Sequence, residues 1–450
     1  MTRTSPTSTQ TSTALLTDHY ELTMLQAALH SGAAGRQCVF EVFARRLPEG
    51  RRYGVVAGTG RLLEAVRDFR FGIAEIERLR DEHVVDPETL DLLSGYRFTG
   101  NISGYAEGEC FFAGSPLLVV EGTFAESVLL ETVILSILNH DAAIASAASR
   151  MTNAAGKRPC IEMGSRRTHE WAAVAAARAA YIAGFATTSN LEAGRTYGVP
   201  TRGTSAHSFT LLHDDERAAF EAQVASLGPG TTLLVDTYDV SAAVSLAVEV
   251  AGVGLGAVRL DSGDLLAQAR EVRAQLDALG AKDTRIIVTS DLDEHAIAAL
   301  AAAPVDAYGI GTSLVTGSGA PTAGLVYKLV ARENDAGDLI GVAKRSEGKR
   351  SLAGRKWALR RLDAHGVAVL EVIGTGEMPA GDARDPSVPH DTRDRPLVID
   401  LMRHGEIVAD LDLGTARRRH ERSRAELPPR ALQLSKGEAA IRTHFENGQR

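Results

Sequence analysis

Two carboxylates flank a glycine turn in LDSGD (Leu260–Asp264), with Arg259 immediately before them. Such a loop can orient a sugar's hydroxyls, or it can hold Mg²⁺ that is already bound to a diphosphate, because Mg²⁺ combines few carboxylates with substrate oxygens and water. Asp264 also fits the plain role of a helix cap, so Asp261 is the better candidate for chemistry. In YGIGTSLVT (Tyr308–Thr316), Gly309 and Gly311 follow an apolar run, so backbone N–H groups can approach an oxyanion, with Thr312 and Ser313 adding hydroxyl donors. The apolar run before it ends in Ser290-Asp291. Two consecutive loops of this kind predict a phosphate site, against the bland alternative of a turn from sheet to helix. In GSRRTHE (Gly164–Glu170), Arg166 and Arg167 offer guanidinia that can pair with a carboxylate or phosphate, or simply lie on a charged surface. GTSAHS (Gly203–Ser208) carries Thr204 and His207. That histidine is compatible with a general base, a phosphate acceptor, a metal ligand or a structural residue. With no second His or Cys beside it, metal is the least favoured reading.

These segments share a placement. Seven short apolar runs start near residues 160, 185, 201, 232, 256, 285 and 306, each ends in polar or glycine residues, and most precede an Ala-rich helical pattern. The clearest of those helices are 241–250, 265–279 and 293–302. This is βα-unit spacing and predicts a parallel, barrel-like sheet whose strand ends carry the chemistry. Upstream, a helix starts from a Thr17 cap, the strand CVFEVFARRL follows, and 124–150 reads as one long buried helix or a pair. After Val330 the texture turns to polar hairpins, a loop over 374–396 and a charged helix over 415–425. The expected organisation is a disordered tail over 1–13, a discontinuous α/β domain from 14–125 and 331–450, and an α/β barrel over 126–330. The basic run 417–424 reads as a solvated or subunit-facing surface.

Composition excludes several classes. Among 450 residues, 49 basic side chains face 57 acidic ones, for a net charge of −8, so no global field exists to hold nucleic acid or an anionic membrane. Cys38, Cys110 and Cys160 are far apart and outside any CxxC or Cys/His spacing, as in a reduced protein without a zinc cluster. The first 13 residues lack an apolar run, and the most apolar stretches are interrupted by charges such as Glu131, Asp141 and Arg178. A cytoplasmic location is expected. A GxxxxGK[ST] loop is missing, GVGLG (Gly252–Gly256) precedes a strand instead of following one, and His169-Glu170 lacks the second His of HExxH.

Taken in order, LLTDHYELTM, EMGSRRTHE, GTSAHSF, LLVDTYD, VRLDSGDL, YGIGTSLVT and the basic hairpin KRSEGKRSLAGRK resemble the nicotinate phosphoribosyltransferase family over roughly residues 14–450. The resemblance implies a type II phosphoribosyltransferase: an irregular, incomplete α/β barrel plus a discontinuous α/β domain, working as a homodimer with a shared active site. It implies that nicotinate and phosphoribosyl pyrophosphate give nicotinate mononucleotide and pyrophosphate in NAD salvage, with ATP as co-substrate and Mg²⁺ present. By position, it makes His207 the phosphorylated histidine and lets Tyr20 stack on the pyridine ring of a neighbouring subunit's site. Arg166 or Arg167, Thr204 and Arg259 would handle the nicotinate carboxylate and nearby phosphate oxygens. Asp261 would face the ribose, and Ser290, Gly311 and Thr312 its 5′-phosphate. Two departures show: Ala353 where the hairpin usually has proline, and Gly114-Ser115 before Pro116. The competing readings are a nicotinamide phosphoribosyltransferase and a non-catalytic nucleotide sensor on the same scaffold.

Overall fold

The computed structural model describes residues 12–344, 352–378 and 392–446. Residues 1–11 of the expected tail, 345–351 of the basic hairpin and 379–391 of the expected loop lie outside the described residues. The chain divides into two compact units, one drawn from the residues up to Ala142 together with those from Thr322 onward, the other spanning Ala143–Pro321.

The second unit is built from βα repeats. Its six strands run parallel in the order Thr187–Thr188, Cys160–Glu162, Ala307–Ile310, Arg285–Val288, Ala257–Leu260, Thr232–Leu234. Helices Glu170–Ile182, Val240–Ala251 and Leu265–Ala278 come after strands and Glu216–Leu227 after the helix His207–Leu212; they are capped by His169, Asp239, Asp264 and Asp215, each accepting from a first-turn N–H. Asp264 is therefore the helix cap that its spacing allowed. The third expected strand, at 201, is corrected: Thr201 makes a single parallel bridge to Thr188. Pro200 and Arg202 exchange backbone hydrogen bonds with Thr188, both at 2.9 Å, after which the chain departs through Gly203. Proline has no N–H to donate to a ladder, so the sheet stays open on this side.

In the first unit, a seven-stranded antiparallel sheet has the order Leu339–Gly341, Leu325–Glu333, Gln37–Ala44, Leu118–Thr123, Asn101–Tyr105, Val398–Arg403, Glu406–Ile407. A four-stranded sheet pairs Arg393–Pro396, Lys356–Leu362, Ala368–Thr375 and Arg442–Phe445. The Val330 carbonyl accepts both the Val342 and the Gly354 N–H, each at 2.8 Å, so the two ends of the basic hairpin meet at one oxygen.

Further expectations are corrected here. Asp18, not Thr17, occupies the N-cap of helix His19–His30, because the Thr17 hydroxyl is engaged by the Glu21 carboxylate. The loop expected over 374–396 ends in a strand, Arg393–Pro396, paired with Lys356–Leu362. The basic run is half internal: on helix Leu413–Ala425, helical spacing turns Ala416, His420 and Ser423 inward, and Arg419 donates to the Glu107 carbonyl at 2.8 Å. The stretch 124–150 proves to be two helices, Phe124–Val128 and Glu131–Ala155. Among the described residues, Phe124–Ala155 is long and apolar enough to cross a membrane, but most of its apolar window is packed against protein, as in a core helix.

Candidate active site

Parity decides which side chains of the parallel sheet can do chemistry. Successive residues of a strand face opposite sides. Val258, Leu260, Ile286, Val288, Tyr308 and Ile310 are buried against the helices. Their neighbours Arg259, Asp261, Ile287, Thr289, Gly309 and Gly311 line a cavity of about 760 Å³ on the other face. Gly309 thus sits inside its strand, not after it as expected, and a Cβ there would come within 2.4 Å of Thr289 Cγ2 and 2.7 Å of Met163 Sδ.

Most of the singled-out residues converge on this cavity. Arg166 and Arg167 line it from the turn Ser165–Arg167, joined by Thr204, Arg259, Asp261, Ser290, Gly311 and Thr312. Gly164 lets that turn fit, since a Cβ would lie 2.2 Å from Val315 Cγ1. Gly311 precedes the short helix Thr312–Val315. Ser290 stands at φ 128°, a region glycine tolerates and serine does not favour, which holds the 290–291 turn at the strand end in one strained shape. His207 begins helix His207–Leu212, next to the cavity-lining Ala206. Tyr20 does not line the cavity. It belongs to the other unit, on helix His19–His30, and is exposed. Partial burial and the carboxylates of Glu131, Glu21 and Asp18 hold its phenol protonated well above the usual range.

Asp236 organises the polar end of the site. Its side chain is 2% exposed, and Oδ1 accepts from His207 Nε2 at 3.1 Å. Oδ2 accepts from the Asp261 backbone N–H and the Ser262 hydroxyl, both at 2.8 Å. One carboxylate therefore ties the histidine segment to the LDSGD turn. The Asp261 carboxylate is in turn oriented by the Thr289 hydroxyl. The sequence places Asp236 of LLVDTYD among the polar strand ends but gives it no role, and Thr289 goes unnamed, because a lone Asp or Thr at a strand end carries no spacing signal.

Arg259 is poised for an anion. Burial depresses its basicity, Asp261 and Asp236 partly restore it, and the Arg166 charge opposes it again. Nη1 donates to the Thr204 hydroxyl at 3.2 Å, whereas the buried Nε has no protein partner. A buried cation short of acceptors gains most from a carboxylate or phosphate that it can contact in two places. No group of three or more His, Cys, Asp or Glu side chains is arranged to hold a metal among the described residues. Asp261, which lines the cavity, instead suits a Mg²⁺ that takes most of its oxygens from a diphosphate and water.

Residues 15–139 match the family described as the nicotinate phosphoribosyltransferase (NAPRTase) N-terminal domain. Nicotinate phosphoribosyltransferase pncB1 of Mycobacterium tuberculosis is 59% identical over 439 residues, covering 95% of this chain and 94% of that protein. The crystal structure of human nicotinic acid phosphoribosyltransferase superposes with a TM-score of 0.80 at 27% identity, over 96% of this chain and 98% of that one. Nicotinate-nucleotide pyrophosphorylase from Pyrococcus furiosus shares the fold, with a TM-score of 0.75 at 24% identity over 95% of this chain and 99% of that one.

Proposed function

This chain belongs to the nicotinate phosphoribosyltransferase family and is an enzyme of NAD salvage, and from that premise we propose that it joins nicotinate to phosphoribosyl pyrophosphate at the expense of ATP. The products are nicotinate mononucleotide, pyrophosphate, ADP and phosphate.

In the transfer step, the pyridine nitrogen's lone pair forms a bond to the anomeric carbon, and the C–O bond to pyrophosphate breaks, its electron pair leaving with the diphosphate. No proton moves, so no general base is needed. Arg259 with Thr204, and one of Arg166 and Arg167, hold the nicotinate carboxylate and nearby phosphate oxygens. Asp261, fixed by Thr289, faces the ribose, where positive charge builds as the bond breaks. Ser290, Gly311 and Thr312 take the 5′-phosphate. Bound Mg²⁺ would neutralise the diphosphate's charge.

The observation that carries the ATP coupling is the Asp236 carboxylate on His207 Nε2. A carboxylate there keeps the proton on Nε2, leaving the Nδ1 lone pair as the nucleophile. The γ-phosphoryl then forms a P–N bond as its bond to ADP breaks, and water later cleaves the P–N bond. A phosphoryl group beside Asp236 adds about −1.5 to −2 charge and acts on the joint between His207 and the LDSGD turn, which makes substrate affinity depend on phosphorylation.

Exposed apolar side chains support a homodimer with a shared site. Trp171, Leu191, Leu211, Leu212 and Tyr238 stand in or near the loops after the parallel strands, and Leu15, Leu16, Tyr20 and Met24 at the N-terminal helix. Tyr20 of one protomer would stack on the pyridine bound by its partner. The three buried free thiols, pushed up to about 11 for Cys38 and about 12 for Cys110 and Cys160, accord with a cytoplasmic protein.

The test is formation of nicotinate mononucleotide with and without ATP. ATP stimulation, lost in His207→Ala while a slow basal reaction survives, is the expected result; undiminished stimulation in that variant would overturn the phosphohistidine. Nicotinamide in place of nicotinate should react at least about tenfold less efficiently, because a charged contact to arginine is replaced by a neutral one.

A further inference from the structure

The cavity does not end beneath the chemistry. Its lining includes the first inward residues of the strands as well as the last: Ala186, Arg285 and Ala307 stand at the amino-terminal ends, and Asp261, Thr289 and Gly311 at the opposite ends. Arg285 and Thr289 are four residues apart on one strand, about 13 Å at the rise of a parallel strand. The void therefore runs along the whole concave face of the sheet. Barrels of this type usually fill their interior with layers of branched side chains. Here the middle of the face is lined by Thr187, Thr232, Ile161, Ile287 and Met163, which lies over Gly309, and the cavity still reaches both ends.

The far end has its own chemistry. The Arg285 side chain is exposed, its Nε makes a long 3.4 Å contact to the Gly256 carbonyl, and it forms no ion pair among the described residues. The Thr187 hydroxyl is shielded from solvent and has no protein partner. Between these groups the walls are Ile161, Ile287, Ala186 and Ala307.

We propose that this far end is a second binding site, separate from the acceptor site at the opposite mouth, for a small planar aromatic monocarboxylate. The carboxylate pairs with Arg285, and the ring lies between Ile161 and Ile287, on the Ala307 side of the Met163 and Thr289 side chains that cover Gly309. A ligand here sits at the foot of the strands that carry Arg259, Asp261 and Thr289, so its occupancy acts on the site from below. The binding claim stands apart from the transferase reading, since it invokes no reaction.

The test uses benzoate, which has the ring and the carboxylate but no nucleophilic nitrogen, titrated calorimetrically into the full-length protein. Two sites per chain are expected in the wild type. Arg285→Ala should weaken one of them by at least about tenfold. Arg285→Lys should weaken it less, and Ala186→Phe, which plugs the passage, should remove it. The Michaelis constant for nicotinate at low concentration should stay within about twofold in Arg285→Ala, because that arginine touches no part of the acceptor site. Absence of any benzoate site that weakens in Arg285→Ala, whether the wild type shows one site or two, overturns the proposal; a single site that does weaken upholds it. A chain that binds two benzoates but makes no nicotinate mononucleotide would instead overturn the transferase reading alone.

Discussion

Single side chains decide most of the proposed chemistry. Asp236 accepts three hydrogen bonds from His207, Asp261 and Ser262. Its truncation should behave like loss of the histidine while also loosening the sugar-facing turn. Asp236→Ala is therefore expected to lose ATP stimulation and to raise the Michaelis constant for phosphoribosyl pyrophosphate, both readable in initial rates. Arg259→Ala should raise the Michaelis constant for nicotinate at least about tenfold, the worth of one charge-assisted contact, with little change for the phosphoribosyl donor. An effect confined to the donor would reassign that arginine. Ser290→Gly separates strain from function. Glycine accepts φ 128° freely, so thermal stability should hold or rise by up to about 1 kcal/mol while the grip on the 5′-phosphate slackens. The residue types at these strand ends were legible from the sequence. Their mutual contacts were not, since Asp236 meets Asp261 only after two βα units bring their strand ends side by side.

Among the elements, those of the first unit are joined by buried ion pairs that titrate in opposite senses. Arg360, fully buried, bonds Glu109 at 2.8 Å and Glu371 at 2.9 Å, linking strand Lys356–Leu362 to its neighbours. Burial works against the Glu109 charge, but Arg360 and Arg395 outweigh it and hold the carboxyl down at about 2. A depressed acid contributes stability that is full above its ordinary 4.5 and is lost as pH falls toward 2. Glu41 is the reverse case: burial prevails over Lys356, 2.6 Å away, and lifts the carboxyl to about 7. Its contribution is full below 4.5 and declines as pH rises through 7. These two groups together predict greatest stability near pH 4.5, falling on either side, as urea midpoints across the range will show. The paired variant Glu41→Gln with Lys356→Met should flatten the alkaline limb, because it removes both buried charges at once. Periodicity exposed the strands and helices themselves. It promised a full strand at 201, where Pro200 and Gly203 allow only one bridge, and it took the 417–424 run as a solvated or subunit-facing surface when helical phase turns His420 and Ser423 inward.

At the scale of the whole molecule, the proposed dimer makes a sharp claim. If Tyr20 serves the partner's site, Tyr20→Ala and His207→Ala chains, each impaired alone, complement each other when mixed. Random pairing puts half of the chains into mixed dimers with one intact site of two, so ATP-stimulated activity should recover to about a quarter of wild type. Recovery no greater than the sum of the separate variants would place Tyr20 in its own chain's chemistry or in none. Sedimentation with Leu212→Asp is a complementary measurement, since a charge on an exposed apolar contact should shift the protein toward monomer. The shared carbonyl of Val330 has a practical corollary. Because the Val342 and Gly354 N–H groups converge on the same oxygen, a substitution that removes either donor leaves the other attached, so the edge of strand Leu325–Glu333 tolerates the loss of one mooring.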